Sequence, residues 1–175
     1  MCNGFMVLMK VVERHRYEGD EIFETRSLRF HPFSYEPAMI HAISNIIAQQ
    51  LTPDLLTKKY REENVRNPMF GHCYHSTQAL FYLMDTDKLI PMSGIDYRND
   101  THWWLQDGEK IYDVTADQYY SVGQVPPYAT GKKTAWYGWK QRPHQRSLKL
   151  MMRVLDSIKI PYCYETLTPQ SGALT

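Results

Sequence analysis

The chain has 175 residues, 43% of them hydrophobic and 22% charged, with a formal net charge of +1 at pH 7. That length suits a single domain over 1–175 with a core that needs no metal or disulfide, and that composition excludes an intrinsically disordered chain. A near-neutral total excludes a molecule that is polycationic or polyanionic as a whole, so affinity for nucleic acid would have to come from local clustering.

The N-terminal stretch MCNGFMVLMKVV is apolar, but no basic residue precedes the run, Lys10 interrupts it, and no small-residue cleavage pattern follows. No apolar run is long enough to span a bilayer. These features predict a cytoplasmic protein without a membrane partner. Three cysteines, Cys2, Cys73 and Cys163, are odd in number and far apart, which argues against a disulfide framework.

In chain order, residues 4–30 alternate loosely around YEGDE and predict a hairpin within 1–30. HPFSYEPAMIHAISNIIAQQL predicts a helix with Pro37 in its first turn and Ile40, Ile43, Ile46 and Ile47 on one face. TPDLLTKKY predicts a short helix with Thr52 as N-cap and Pro53 as its first residue, and REENVRNPM predicts a polar connection. In FGHCYHSTQALFYLMD, Cys73 heads a series continued by Thr77, Leu80, Phe81 and Met84, the spacing of an amphipathic helix.

Two strands follow, THWWLQ and EKIYDVT, joined by Asp107-Gly108, a strong hairpin signal. With those two residues at the centre of the turn, Gln106 pairs with Glu109, Trp104 with Ile111 and His102 with Asp113. An imidazole then lies beside a carboxylate, which can fix its tautomer and stabilise its cation. The register is open to error, because Trp103 and Tyr112 make the opposite face apolar too and a one-residue slip would exchange the faces. YYSVGQVPPYATGKKTAWYGW predicts an irregular aromatic loop, and a last helix is expected from near Pro143 to about Ile158, ended by Pro161.

A cysteine at a helix N-terminus, where the helix dipole favours the thiolate, together with a His–Asp pair is a nucleophile–base–orienter set. In this order Cys73 in GHCYHSTQAL, His102 in THWWLQDG and Asp113 in KIYDVTADQY resemble the core of the papain-like, transglutaminase-like cysteine enzyme superfamily. The chain is also similar to small phage and bacterial proteins with a Gly-x-Cys helix, a His-Trp strand and an Asp-x-Thr-x-x-Gln segment, here Asp113, Thr115 and Gln118. The resemblance covers roughly residues 60–155. It implies an α+β fold in which an antiparallel sheet packs on the Cys helix. It also implies a cysteine-dependent amide hydrolase or acyltransferase of peptidase, deamidase, amidase or transglutaminase type, with no cofactor and a protein or small-molecule amide as substrate. Cys73 would be the nucleophile, His102 the base and then the acid, and Asp113 the orienting residue. Trp103, Trp104, Tyr119, Tyr120 and Trp136 are the aromatic candidates to shape the substrate cleft. For an oxyanion hole the upstream amides are Asn64 and Asn67, neither clearly placed, so that element is unassigned.

Two other readings compete. His72, Cys73 and His75 offer zinc-type ligands within four residues, although adjacent helix positions rarely point at one ion. The segment 131–153 carries Lys132, Lys133, Lys140, Arg142, Arg146, Lys149 and Arg153 interleaved with Trp136, Tyr137 and Trp139. Such a mixture suits phosphate contacts and base stacking, as in a nucleic-acid or anionic-ligand binding protein.

Overall fold

A computed structural model describes residues 7–11, 33, 35–135, 143–159 and 162–166. In chain order these form β1 (Val7–Val11), α1 (Pro37–Gln49), a 3-10 turn (Pro53–Leu55), α2 (Lys58–Arg66) and α3 (Cys73–Met84). Then come β2 (Ile90–Ile95), β3 (Thr101–Asp107), β4 (Lys110–Tyr112), α4 (Asp117–Tyr120), a second 3-10 turn (Tyr128–Thr130), β5 (Lys132–Lys133), α5 (Gln145–Ser157) and β6 (Tyr162–Thr166). The architecture is α+β: an antiparallel sheet in the order β4-β3-β2-β5 packs against helices, and β1 pairs with β6 in a separate parallel ribbon. Of the hairpin expected within 1–30, only β1 falls in the described residues; the turn and return strand lie outside them.

The sequence periodicity places α1 correctly, with Pro37 opening it and Ile40, Ile43 and Ile47 buried. The segment after it differs. TPDLL closes as a 3-10 turn, and the helix proper begins at Lys58 and absorbs most of REENVRN, expected as a connection. Its Lys, Arg and Glu residues are good helix formers, and the segment reads as a linker only because its solvent face lacks an apolar stripe.

α3 buries Thr77, Leu80 and Met84 of the expected stripe, and much of the rest of its surface as well. Ser76, Thr77, Gln78, Ala79 and Leu80 are all buried, as are Tyr82, Leu83 and Met84, because β3 covers one side and α1 and α5 cover the others. The polar residues among them are bonded: Ser76 Oγ donates to His72 O at 2.9 Å, and Gln78 Oε1 accepts from His144 N at 2.9 Å, seating the start of α5. Thr77 Oγ1 donates to Trp103 O at 3.0 Å, and Cys73 Sγ lies 3.7 Å from Thr101 O. Four residues of helix rise roughly 6 Å and two residues of strand roughly 6.6 Å. α3 and β3 therefore run alongside in step, one helical turn for each same-face strand pair.

The β3–β4 hairpin forms, with a different centre. Asp107 pairs with Lys110, Gln106 with Ile111 and Leu105 with Tyr112, so the two loop residues are Gly108 and Glu109. Gly108 has φ +56°, as the first position of a type II′ turn requires. Moving the centre by one residue shifts the pairing by two. Every side chain stays on its expected face, and Asp113, just beyond β4, lies diagonal to His102 instead of directly opposite it.

β2 has no counterpart among the sequence expectations, because Pro91 interrupts the run and argues against a central strand. The carbonyl of Pro91 accepts from Thr134 N at 3.0 Å, so its missing N–H faces the β5 side, where the neighbour is only two residues long. The expected irregular loop begins inside α4, at Tyr119, and contains a 3-10 turn and β5. It closes tightly over the sheet: a Cβ on Gly131 would stand 2.2 Å from Trp104 Cζ2. The last helix spans Gln145–Ser157, close to the expected limits; Pro161 is outside the described residues.

Gly71, at the turn into α3, has φ +82°, and a Cβ there would meet Tyr60 Cβ at 2.7 Å. Gly108 also has positive φ but nothing within 4 Å of its Cβ position. Gly108→Ala should cost about 1–2 kcal/mol from backbone strain alone, and Gly71→Ala clearly more because α2 must shift. Urea titrations of the two variants measure the difference; equal losses would show that the Tyr60 contact yields freely.

Candidate active site

Asp113 follows β4 directly and is held by its own sequence neighbourhood. Thr115 donates to Asp113 Oδ1 through its backbone N–H at 2.9 Å and its hydroxyl at 3.2 Å. The other oxygen, Oδ2, accepts from Tyr128 OH at 2.8 Å and lies 2.6 Å from His102 Nε2. The two side chains of the pair are 1% and 2% exposed, so neither charge is hydrated. An ionised carboxylate only accepts, so Nε2 carries the proton and Nδ1 is the nitrogen left for other partners.

Burial alone would lower the pKa of His102. The charge and hydrogen bond of Asp113 more than reverse this and the Cys73 sulfur acts in the same sense, so the imidazolium persists well above its ordinary range. With Nε2 taken by the carboxylate, Nδ1 is the ring nitrogen left open toward Cys73. Gln118 Nε2 approaches the same Nδ1 at 3.4 Å and donates to Thr115 O at 3.0 Å. Asn67, from the end of α2, donates to the backbone O of Gln118 at 2.7 Å. Asn64 instead bonds Pro68 O and Phe70 O, tying the loop before α3.

Cys73 is half-buried and opens onto a cleft of about 290 Å³. Trp103, Tyr119 and Gln118 line it with Tyr60, Phe70 and Tyr74; Asp96 and Asp100 also line it, as do His75 and Arg146. The structure therefore brings Cys73, His102 and Asp113 together and sets two of the five aromatic candidates, Trp103 and Tyr119, in the wall. Trp104 is fully buried on the other face of β3, with His102 and Tyr128 beside it, and cannot meet a substrate. Tyr120 points to solvent at 54% exposure and is not part of the wall. Trp136 is outside the described residues. Tyr128 was not foreseen, since nothing local in the sequence shows that its loop returns to Asp113.

His72, Cys73 and His75 diverge. Cys73 and His75 line the cleft, His75 Nδ1 lies 3.0 Å from Ser147 Oγ, and His72 is buried away from that wall. Among the described residues no group of three or more His, Cys, Asp or Glu is placed to hold a metal ion. The basic segment is also divided. Lys149 and Arg153 pair with Asp54 at 2.7 and 2.8 Å, Arg146 turns into the cleft wall, and Lys132 and Lys133 stand exposed on β5. Lys140, Arg142, Tyr137 and Trp139 lie outside the described residues. Among those residues, no helix is long and apolar enough to cross a membrane. Comparison with protein-family models, curated proteins and solved structures finds no match for this chain.

His72 has neither ring nitrogen bonded within the described residues and is fully buried. Burial pushes its pKa down to about 4, with Asp54 acting weakly in the opposite sense. A lowered histidine contributes its stability in full above the unfolded value of about 6.5 and loses it as pH falls toward the folded value. His72→Leu is expected to raise the unfolding free energy by about 1–2 kcal/mol at pH 7, since an unbonded polar ring is replaced by an apolar side chain. It should also flatten the loss of stability between pH 6.5 and 4. Urea titrations at pH 7 and 4.5 test both; destabilisation at pH 7 would mean that the ring has a partner worth keeping.

Proposed function

We propose that this protein is a cysteine-dependent amide hydrolase or acyltransferase with a papain-like, transglutaminase-like arrangement of Cys73, His102 and Asp113. The observation that carries the reading is the buried 2.6 Å contact between His102 Nε2 and Asp113, with the other ring nitrogen facing Cys73 at the cleft. A histidine used only for packing has no need of a fully desolvated carboxylate held by three further donors. A histidine that must receive and return a proton does, because the carboxylate fixes the tautomer and stabilises the cation.

In the proposed cycle the Cys73 sulfur, its proton transferred to Nδ1 of His102, attacks the carbonyl carbon of an amide. The C–S bond forms as the carbonyl π pair moves onto oxygen. When that oxyanion collapses, the C–N bond breaks and the imidazolium donates its proton to the departing amine. His102, now neutral, takes a proton from the incoming water or amine, which attacks the thioester, and the thiolate leaves. The cleft offers aromatic walls and both signs of charge, which suits a protein or small-molecule amide.

An activated ester, p-nitrophenyl acetate, reports acylation without knowledge of the natural substrate. Cys73→Ala and His102→Ala should each reduce the nitrophenolate burst to background while circular dichroism stays unchanged. Full turnover by Cys73→Ala would sink the nucleophile assignment.

Asp113→Asn gives a pH-dependent test. Without the carboxylate, burial acts unopposed and His102 loses its proton at lower pH. Alkylation of Cys73 by iodoacetamide at pH 6 is then expected to slow at least tenfold relative to the unmodified protein, because the positive charge beside the attacking sulfur is gone. Mass spectrometry of the Cys73 peptide reads the rate, and an unchanged rate would separate Asp113 from the chemistry.

A further inference from the structure

Within this reading of Cys73 and His102, we propose that Gln118, from the first turn of α4, supplies the side-chain donor of the oxyanion hole, acting with the backbone N–H of Cys73. Upstream of Cys73 the side-chain amides are Asn64 and Asn67, and both are committed elsewhere: Asn64 to the loop before α3, Asn67 to the main chain of Gln118.

Three features of Gln118 support the assignment. First, its orientation is fixed. Only the NH2 end of an amide can donate to a carbonyl, so the 3.0 Å bond to Thr115 O sets Nε2, not Oε1, toward His102. Second, among the described residues its second amide hydrogen has no acceptor when His102 is charged. Nδ1 of an imidazolium is itself a donor, and Nε2 stands 3.4 Å away, so two N–H groups face each other with no acceptor between them. Third, Gln118 is 6% exposed and shares the cleft wall with Cys73, and its Nε2 lies against the ring nitrogen that Asp113 leaves open. A buried donor without an acceptor, beside the nucleophile, is satisfied by an oxygen that acquires negative charge there.

Donors at a helix N-terminus have no intrahelical acceptor, which leaves the Cys73 backbone N–H as the second contributor. As the C–S bond forms and the carbonyl pair moves onto oxygen, the oxyanion accepts from Gln118 Nε2 and from Cys73 N. When it collapses, the pair returns to rebuild the carbonyl, the leaving group departs, and both donors are released. Asn67 acts one step back, as a positioning residue that holds the Gln118 main chain.

The test uses two reactions of the same sulfur. Acylation by p-nitrophenyl acetate passes through an oxyanion; alkylation by iodoacetamide is a direct displacement and does not. Gln118→Ala, and the near-isosteric Gln118→Glu that lacks the donor, are expected to slow acylation about 10²–10³-fold. Gln118→Ala should leave alkylation within about threefold. Thermal melts and circular dichroism identify a variant that fails to fold; either variant folded suffices. If a folded variant acylates at the unmodified rate, or if acylation and alkylation fall together in it, the assignment is overturned, the second outcome making Gln118 a support for His102 only. If Cys73→Ala still turns over the ester, the nucleophile reading itself fails, and this assignment with it.

Discussion

The arrangement of the site depends on one desolvated carboxylate. Asp113 has its side chain almost fully excluded from water, so its charge is tolerable only if its oxygens are saturated by donors. His102, Tyr128 and two groups of Thr115 supply them. That requirement dictates much else. Thr115 must turn back immediately after β4, the loop carrying Tyr128 must return over the sheet, and His102 must present Nε2 rather than Nδ1. Fixing Nε2 in this way leaves Nδ1 for the cysteine and for Gln118. The tautomer follows from the burial of the carboxylate.

The second constraint is the match between α3 and β3. Because a helical turn and a two-residue strand step have nearly the same rise, Thr77 can bond the backbone of Trp103 while Cys73 reaches the level of Thr101. The cysteine is thereby held beside the strand that carries His102, with its helix locked into the core along most of its surface. Rigid elements carry both side chains, which fixes the sulfur relative to the ring. Trp103 and Trp104 illustrate the division. One faces α3 and the cleft, while its neighbour is buried with His102 and Tyr128 and closed over by Gly131.

Much of the helical framework is legible from period and caps. Ile40, Ile43 and Ile47 mark the buried face of α1, and α5 lies near its expected limits, because an apolar stripe bounded by proline is a local signal. β2 is not legible, since Pro91 contradicts a central strand unless the shortness of β5 is known. Nor are the quiet interior of α3 and the helical nature of REENVR, which depend on what lies across from them. The hairpin gives the most instructive case. Its centre is one residue from the strongest turn dipeptide and His102 loses Asp113 as its directly opposed partner, yet their side chains still meet, because a two-residue change of register preserves the face.

By itself the sequence determined which side chains could form a nucleophile, a base and an orienting carboxylate, and that His102 and Asp113 share a face, because alternation in a strand is a property of the backbone. Only the tertiary structure decided that Nε2 belongs to Asp113, that Tyr128 completes the carboxylate's partners, and that His72 turns away while Cys73 opens on the cleft. It also placed Gln118, rather than an amide upstream of the cysteine, at the ring nitrogen. Those outcomes depend on elements far apart in the chain competing to satisfy the same few buried polar atoms, and no local pattern records the result.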